Sequence, residues 1–128
     1  MGGRGTFAAG NNAVYTYRTT GKIAGVKVLE KIEKSKSGGL PEEAHSSNAY
    51  IQLDKTGCFR RIRFYNGNHL PVLEIDYHYE KGLSKHGEPV LHIHEYEKPG
   101  IEYRLPARMP SATEIEKYNI YLKGVINL

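Results

Sequence analysis

The sequence predicts an α+β domain in which an antiparallel β-sheet of four to six strands carries a C-terminal helix packed on one face. Three observations favour this fold class. Apolar and polar residues alternate with a period of two along several segments, as they do in strands that bury one face. Turn residues separate these segments at short intervals. Near its end the chain switches to a helical pattern with a clear N-terminal cap.

Size and composition limit the possibilities further. The chain has 128 residues, which suits one domain with one core. Its net charge of +4 and pI of about 9.1 give a mild preference for anionic partners. A single cysteine, Cys58, excludes an intramolecular disulfide and a thiolate-rich zinc site. No apolar run approaches a membrane span and no signal-peptide core is visible, so we expect a cytoplasmic protein without membrane contact.

The first third of the chain gives the weaker structural signals. Residues 1–12 are rich in glycine and asparagine and predict a flexible arm, followed by a single domain over residues 13–128. A short strand is expected within residues 13–19. Residues 23–32 fit a strand or a helix, and the alternating valines favour the strand. Residues 35–47 are expected to form a loop.

The clearest prediction is a four-stranded antiparallel meander over residues 49–96. The turn signals D-K-T-G at 54–57 and N-G-N at 66–68 separate its first three strands. A polar loop over residues 81–88 joins the last two strands. One face of this meander is apolar and should form the core, with Ile51, Leu53, Ile62, Phe64, Leu73, Ile75, Leu91 and Ile93 as its members.

A helix over residues 111–123 is expected to cover that apolar face. Ser111 and Glu114 have the spacing of a capping box, in which each side chain bonds to the other residue's backbone N–H. Gly124 provides a natural stop. The apolar stripe of the helix contains Ile115, Tyr118 and Leu122.

The opposite face of the meander collects ionisable side chains. If the last two strands pair as a hairpin, two carboxylates and three imidazoles share this face, and arginines of the preceding strand join them. Residues two apart on a strand point to the same side, roughly 6.5–7 Å from each other. The sequence H-x-H at 92–94 can therefore supply an acid and a base, or two ligands of one metal ion.

We expect this face to cleave a phosphodiester by metal-independent acid–base catalysis, without a cofactor. His92 and His94 would act as acid and base, while Arg61 and Arg63 would bind the phosphate. The tyrosines could stack on a nucleotide base. The remaining residues expected to bind the ligand are His78, Asp76, Glu74, Tyr65, Tyr96 and Arg104.

Two other interpretations of this face stay open. His92 and His94 could hold a metal ion together with Asp76 or Glu74, with His78 as a further ligand. The metal-free mechanism is favoured over this one because no third ligand stands at a fixed spacing in the sequence. Alternatively, the face could be a solvated surface with ordinary cross-strand ion pairs.

A second polar stretch, E-E-A-H-S-S-N at 42–48, leads directly into the meander. His45 beside two serines offers a base and hydroxyl donors, so we include it among the candidate catalytic residues. A simple turn stabilised by serine and asparagine fits the stretch equally well.

Several strings resemble a family of small, poorly characterised proteins of phages and prophages of Gram-positive bacteria. They are M-G-G-R-G-T-F-A-A-G-N-N, L-P-E-E-A-H-S-S-N-A-Y-I, L-E-I-D-Y-H and P-V-L-H-I-H, and together they cover most of the chain. The resemblance assigns no site residues. It implies a phage protein acting in the cytoplasm of the infected host, where it could antagonise defence by acting on cyclic-nucleotide or ADP-ribose-type immune signals.

Three functions of different classes therefore remain. The favoured one is a phosphodiesterase or RNase-like hydrolase acting on a cyclic nucleotide signal or RNA. The second is a non-catalytic sponge that sequesters such an anionic nucleotide. The third is a structural or morphogenesis protein of the phage particle. A homo-oligomer is expected in each case, because small sheet domains with a glycine-rich arm often build their pockets between subunits.

Overall fold

A computed structural model describes residues 17–31 and 39–125 of the chain. The predicted glycine-rich arm, the start of the expected first strand and part of the loop at 35–47 lie outside these residues. No helix within the described ranges is long and apolar enough to cross a membrane.

The described residues form one six-stranded sheet whose spatial order follows the chain order. This confirms the α+β class and the upper end of the predicted strand number. The strands are β1 (Tyr17–Ile23), β2 (Val26–Lys31), β3 (Ala49–Leu53), β4 (Phe59–Tyr65), β5 (Pro71–His78) and β6 (Val90–Glu95).

The sheet is mixed rather than wholly antiparallel, which corrects the prediction. Strand β2 runs parallel to β3, with Lys27 opposite Tyr50 and Val28 opposite Ile51. All other neighbours are antiparallel. The connection between β2 and β3 is long instead of a tight turn. It brings the chain back to the end of the sheet at which β2 begins, so β3 runs in the same direction as β2.

Strands β1 and β2 form a hairpin, so the strand interpretation of residues 26–31 is confirmed. Its two turn residues, Ala24 and Gly25, both have positive φ angles, of 50° and 83°. Such a pair is typical of the type I′ turn, whose twist matches that of the flanking strands.

The predicted meander is present as β3 to β6, and its apolar face forms the main core. Five of the eight predicted core residues are buried, while Leu53, Phe64 and Leu73 are partly buried and pack against them. Gly57, with a φ of 89°, closes the first turn as expected.

The C-terminal helix covers this core but is shorter than predicted. The α-helix α1 spans Ala112–Tyr118 and is followed by one 3-10 turn, Asn119–Tyr121. Ser111 and Glu114 form the predicted capping box. Leu122 is buried, and its chain neighbour Lys123 accepts a hydrogen bond of 2.8 Å from the Phe59 backbone. The chain leaves the helix early because this end pairs with β4.

A second, smaller core lies on the other face of the sheet, near β1 to β4. The segment 39–48 crosses this face and buries Leu40 and Ala44 against aromatic residues of the strands. It carries neither helix nor strand, as predicted for this part of the loop. The core contains Tyr17, Leu29, Leu40, Ala44, Tyr50 and Tyr65.

Candidate functional site

The ionisable side chains predicted for one face of the meander do lie together, away from the main core. The strand register produces this directly, since Arg61 stands opposite Asp76 and Asp76 opposite His92. A second row across the same strands contains Arg63, Glu74 and His94. We call the set formed by these six residues with His78, Glu80, Tyr96 and Arg104 the polar cluster.

Half of the polar cluster is buried, so it is not a solvated sheet face. Glu74, Asp76 and His92 have no exposed surface, while Arg63 and His94 are only 4% and 6% exposed. Burying charged groups is costly unless each has partners. The internal contacts of the polar cluster therefore decide what it can do.

Glu74 is the most heavily paired residue of the polar cluster. Its Oε1 accepts hydrogen bonds from Arg63 Nε at 2.8 Å and from the Tyr96 hydroxyl at 3.3 Å. Its Oε2 accepts from Arg104 Nη1 at 2.9 Å and lies 3.3 Å from Arg61 Nε. With three guanidiniums around one carboxylate, Glu74 organises the site rather than contacting a ligand.

Arg63 is also held entirely by internal partners. Besides Glu74, its Nη1 donates to the backbone carbonyls of Leu40 and Pro41 at 2.9 and 3.0 Å. Burial opposes its charge, but the nearby Glu74 carboxylate prevails and raises the pKa of Arg63 above its usual range. The expectation that Arg63 binds phosphate is therefore not retained.

Asp76 lies at the centre of the imidazoles. Its Oδ2 is 3.3 Å from His78 Nε2, 3.8 Å from His92 Nε2 and 3.7 Å from His94 Nε2. Its Oδ1 accepts a 2.8 Å hydrogen bond from Arg61 Nε. Burial alone would raise the pKa of Asp76, but the interactions with His78 and Arg61 hold that pKa well below its usual range.

The three histidines share one orientation. Each Nδ1 lies within hydrogen-bond distance of a backbone carbonyl: His78 of Tyr79 at 2.6 Å, His92 of Val90 and His94 of Leu105 at 2.9 Å. A carbonyl oxygen only accepts, so each Nδ1 carries the hydrogen. In the neutral imidazole the Nε2 lone pair then points into the polar cluster. All three rings therefore face Asp76 through an atom that can accept a proton or bind a metal.

His92 and His78 differ in their surroundings. Burial lowers the pKa of His92, while interaction with the Asp76 carboxylate raises the pKa of His78. The two rings meet edge to face with centroids 4.9 Å apart. The buried Nε2 of His92 has no hydrogen-bond partner among the described residues, although Glu80 Oε1 lies 3.4 Å away.

Glu80 was missed as a candidate residue, although the sequence contains its signal. Asp76, His78 and Glu80 continue the same alternation, so the third residue extends the polar face by one step beyond the end of β5. The predicted strand reaches Glu80, because the loop begins at residue 81, but the candidate set stops at His78.

The accessible edge of the polar cluster consists of few side chains. His78 is 21% exposed, Glu80 29% and Arg104 39%, whereas Arg61 retains 14%. A ligand arriving from solvent would meet these groups before it met His92 or His94. We call His78, Glu80 and Arg104 the rim.

The two tyrosines predicted to bind the ligand differ in their burial. Tyr65 is buried, donates its hydroxyl to the Pro41 carbonyl and packs edge-on against Tyr50. Tyr96 is half-buried and donates to Glu74. The burial of Tyr65 leaves its ring no face for stacking, whereas direct ligand binding by Tyr96 stays a prediction.

His45 is not brought to the polar cluster. It lines a separate hollow with residues of β1 and β2, among them Thr19 and Lys27, and its backbone N–H donates to the Tyr50 hydroxyl. His92 and His94 lie on β6, at the opposite edge of the sheet. The role of His45 as a partner of these histidines is therefore not supported by its position.

The chain matches no protein-family model, no curated protein and no solved structure.

Proposed function

We propose that the protein binds a phosphodiester-containing nucleotide at the rim of the polar cluster and hydrolyses it. The observation that carries this proposal is the convergence of three imidazole Nε2 atoms within 4 Å of one Asp76 oxygen, near the accessible Arg104 side chain. Phosphodiester cleavage needs groups that move protons and positive charge near the phosphate. The polar cluster provides imidazoles for the proton transfers and, at its rim, the guanidinium of Arg104 for contact with the phosphate.

The roles follow from exposure. Hydrolysis joins a water oxygen to phosphorus and breaks one P–O bond, while the water loses a proton and the departing oxygen gains one. His78 on the rim is placed to give that proton, and Arg104 to hold a phosphate oxygen. His92 has no exposed surface, so it acts behind the rim and not as the acid expected from the sequence.

The test is turnover by the purified full-length chain. Cyclic dinucleotides, cyclic ADP-ribose isomers and RNA are incubated with the protein and separated by chromatography. New products are expected from the wild type, and His78→Gln should lower their rate of formation by about 10²–10⁴-fold, the usual contribution of one acid–base group.

The matched control for this experiment is His86→Gln. His86 lies in the exposed loop between β5 and β6, where its backbone N–H, not its ring, bonds to Glu88. This variant should retain full turnover. Wild-type rates in His78→Gln, or no product from any of these substrates, would refute the proposal.

Sequestration without cleavage is the second candidate. The burial of His92 and the internal pairing of Arg61 favour it, because a closed cluster can bind a ligand at its rim without completing a reaction. Nucleotide that is retained by the native protein and released unchanged on heating would select this function.

The biological setting is part of the same proposal. The resemblance to small phage and prophage proteins supports a role against nucleotide-based immunity in the infected cell, with the phage-particle role as the remaining class. We also propose a homo-oligomer. A single peak at monomer mass in size-exclusion chromatography with light scattering would contradict that last element.

A further inference from the structure

We propose that the polar cluster binds a divalent transition-metal ion of the zinc class through His92, His94 and Glu80, with the Asp76 carboxylate beside them. This replaces the metal-free mechanism expected from the sequence. The binding site itself does not depend on which substrate the protein acts on, so it can be tested separately.

The first argument is the direction of the imidazoles. His92 and His94 each donate Nδ1–H to a backbone carbonyl, at 2.9 Å in both cases. Metal-binding histidines are commonly fixed in this way, since the bond on one nitrogen orients the lone pair of the other. Because both histidines lie on β6, their rings are also held by the sheet.

The second argument is distance. Metal–ligand bonds of about 2.0–2.2 Å in tetrahedral geometry separate neighbouring ligand atoms by about 3.3–3.6 Å. Glu80 Oε1 lies 3.4 Å from His92 Nε2, and Asp76 Oδ2 lies 3.7–3.8 Å from the Nε2 atoms of both histidines. Glu80, His92 and His94 each offer one ligand atom, and these three atoms lie within 4.8 Å of one another. Small side-chain adjustments would complete the geometry.

The third argument is the buried Nε2 of His92. It has no hydrogen-bond partner among the described residues, yet it faces the carboxylate oxygens of Glu80 and Asp76. In the tautomer that donates to Val90, a lone pair confronts two negatively charged oxygens in a buried environment. A cation between these atoms converts this repulsion into three favourable contacts.

The fourth argument is charge. In the polar cluster, the guanidiniums of Arg61, Arg63 and Arg104 are balanced by the carboxylates of Glu74, Asp76 and Glu80. Side chains alone therefore give a phosphodiester no excess positive charge there. A divalent ion would supply that charge and would also lower the pKa of a bound water.

His78 is not assigned as a ligand. Its Nε2 is 3.3 Å from Arg61 Nη2 as well as from Asp76 Oδ2, so a guanidinium already occupies the direction from which a metal would approach. This leaves His78 available for proton transfer at the rim, in agreement with the proposed function.

The test is a calorimetric titration of the untagged, full-length, chelator-treated protein with Zn²⁺ and with Mg²⁺. One equivalent of Zn²⁺ should bind, and Mg²⁺ should not compete, because imidazole ligands favour zinc-class ions. His94→Gln and Glu80→Gln should each weaken Zn²⁺ binding by more than the roughly 10–100-fold typical of losing an outer-shell partner. His86→Gln should bind as the wild type does.

Folding of the variants is checked by circular dichroism. Glu80→Gln is expected to disturb the fold less than His94→Gln, because Glu80 lies on the partly exposed rim. Absence of a one-to-one Zn²⁺ site in the wild type, or unchanged affinity in folded Glu80→Gln and His94→Gln, would overturn the inference.

The outcome is separable from that of the proposed function. Zinc binding without turnover of any nucleotide would retain the metal site and reject the hydrolase. Turnover that persists undiminished in chelator, with no Zn²⁺ binding, would retain the hydrolase and reject the metal site.

Discussion

At the scale of single residues, Glu74 determines the stability of the polar cluster. It is fully buried between three guanidiniums, so removing its charge takes a carboxylate partner from each of them, although Arg61 keeps its bond to Asp76. We expect Glu74→Gln to lower the free energy of unfolding by about 3–5 kcal/mol, which is typical of breaking a buried ion pair by removing one partner. Urea denaturation followed by circular dichroism measures this change.

The matched control is Glu30→Gln on β2. Glu30 pairs with Arg18 at 2.8 Å, and the two side chains are 40% and 59% exposed. Such surface pairs contribute about 0.2–1 kcal/mol. Equal effects of the two substitutions would show that burial does not govern the polar cluster.

The residues of the cluster were predictable, but their burial was not. A period of two is enough to place Asp76, His78, His92 and His94 on one face, because side chains of a strand alternate whatever else the chain does. How deeply that face is buried depends on contacts between residues distant in sequence, such as the hydrogen bonds from Arg63 to the carbonyls of Leu40 and Pro41. No local pattern encodes these contacts.

At the scale of elements, the C-terminal helix depends on a charged group at its start. Glu114 bonds to the Ser111 backbone at 2.9 Å and to Arg108 Nη2 at 2.7 Å. The hydrogen bonds from Arg108 are the main reason that the pKa of Glu114 falls to about 2. Since a lowered folded pKa favours the ionised form, this stabilisation is complete above the usual pKa near 4.5 and disappears as the pH falls towards 2.

We therefore expect Glu114→Gln to lower stability at pH 7 by about 1 kcal/mol or less, since the pair is partly exposed. Glutamine can keep the capping box, so the substitution isolates the charge. The difference from wild type should shrink in thermal melts between pH 4.5 and 2.5. The control is Glu116→Gln, an exposed position of the same helix. A difference that does not change with pH would contradict this account.

The helix itself shows how far local signals reach. The capping box at Ser111 was visible in the sequence because it is formed by neighbouring residues. The early end of the helix was not predictable, because it results from the hydrogen bond between the Phe59 N–H and the Lys123 carbonyl. These two residues are far apart in the chain. The start of an element was therefore predictable where its end was not.

At the scale of the whole molecule, the parallel neighbours β2 and β3 were the main departure from prediction. Consecutive antiparallel strands follow from short turns, and every turn of the meander was recognisable. The link between β2 and β3 is longer, and its path over the second face is fixed by the apolar contacts of Leu40 and Ala44 with Tyr50 and Tyr65. The same path places this segment against Arg63, so topology and site are connected.

This parallel contact has a consequence for amide hydrogen exchange. Only Lys27 with Tyr50 and Val28 with Ile51 are in register between β2 and β3, whereas each antiparallel neighbour shares a longer ladder. Subglobal opening should therefore release the β1–β2 hairpin as one cooperative unit while β3 to β6 keep their protons. Native-state exchange in low denaturant should record faster deuterium uptake for residues 17–31 than for residues 59–78, and equal protection in both would show that the weak parallel joint does not divide the sheet.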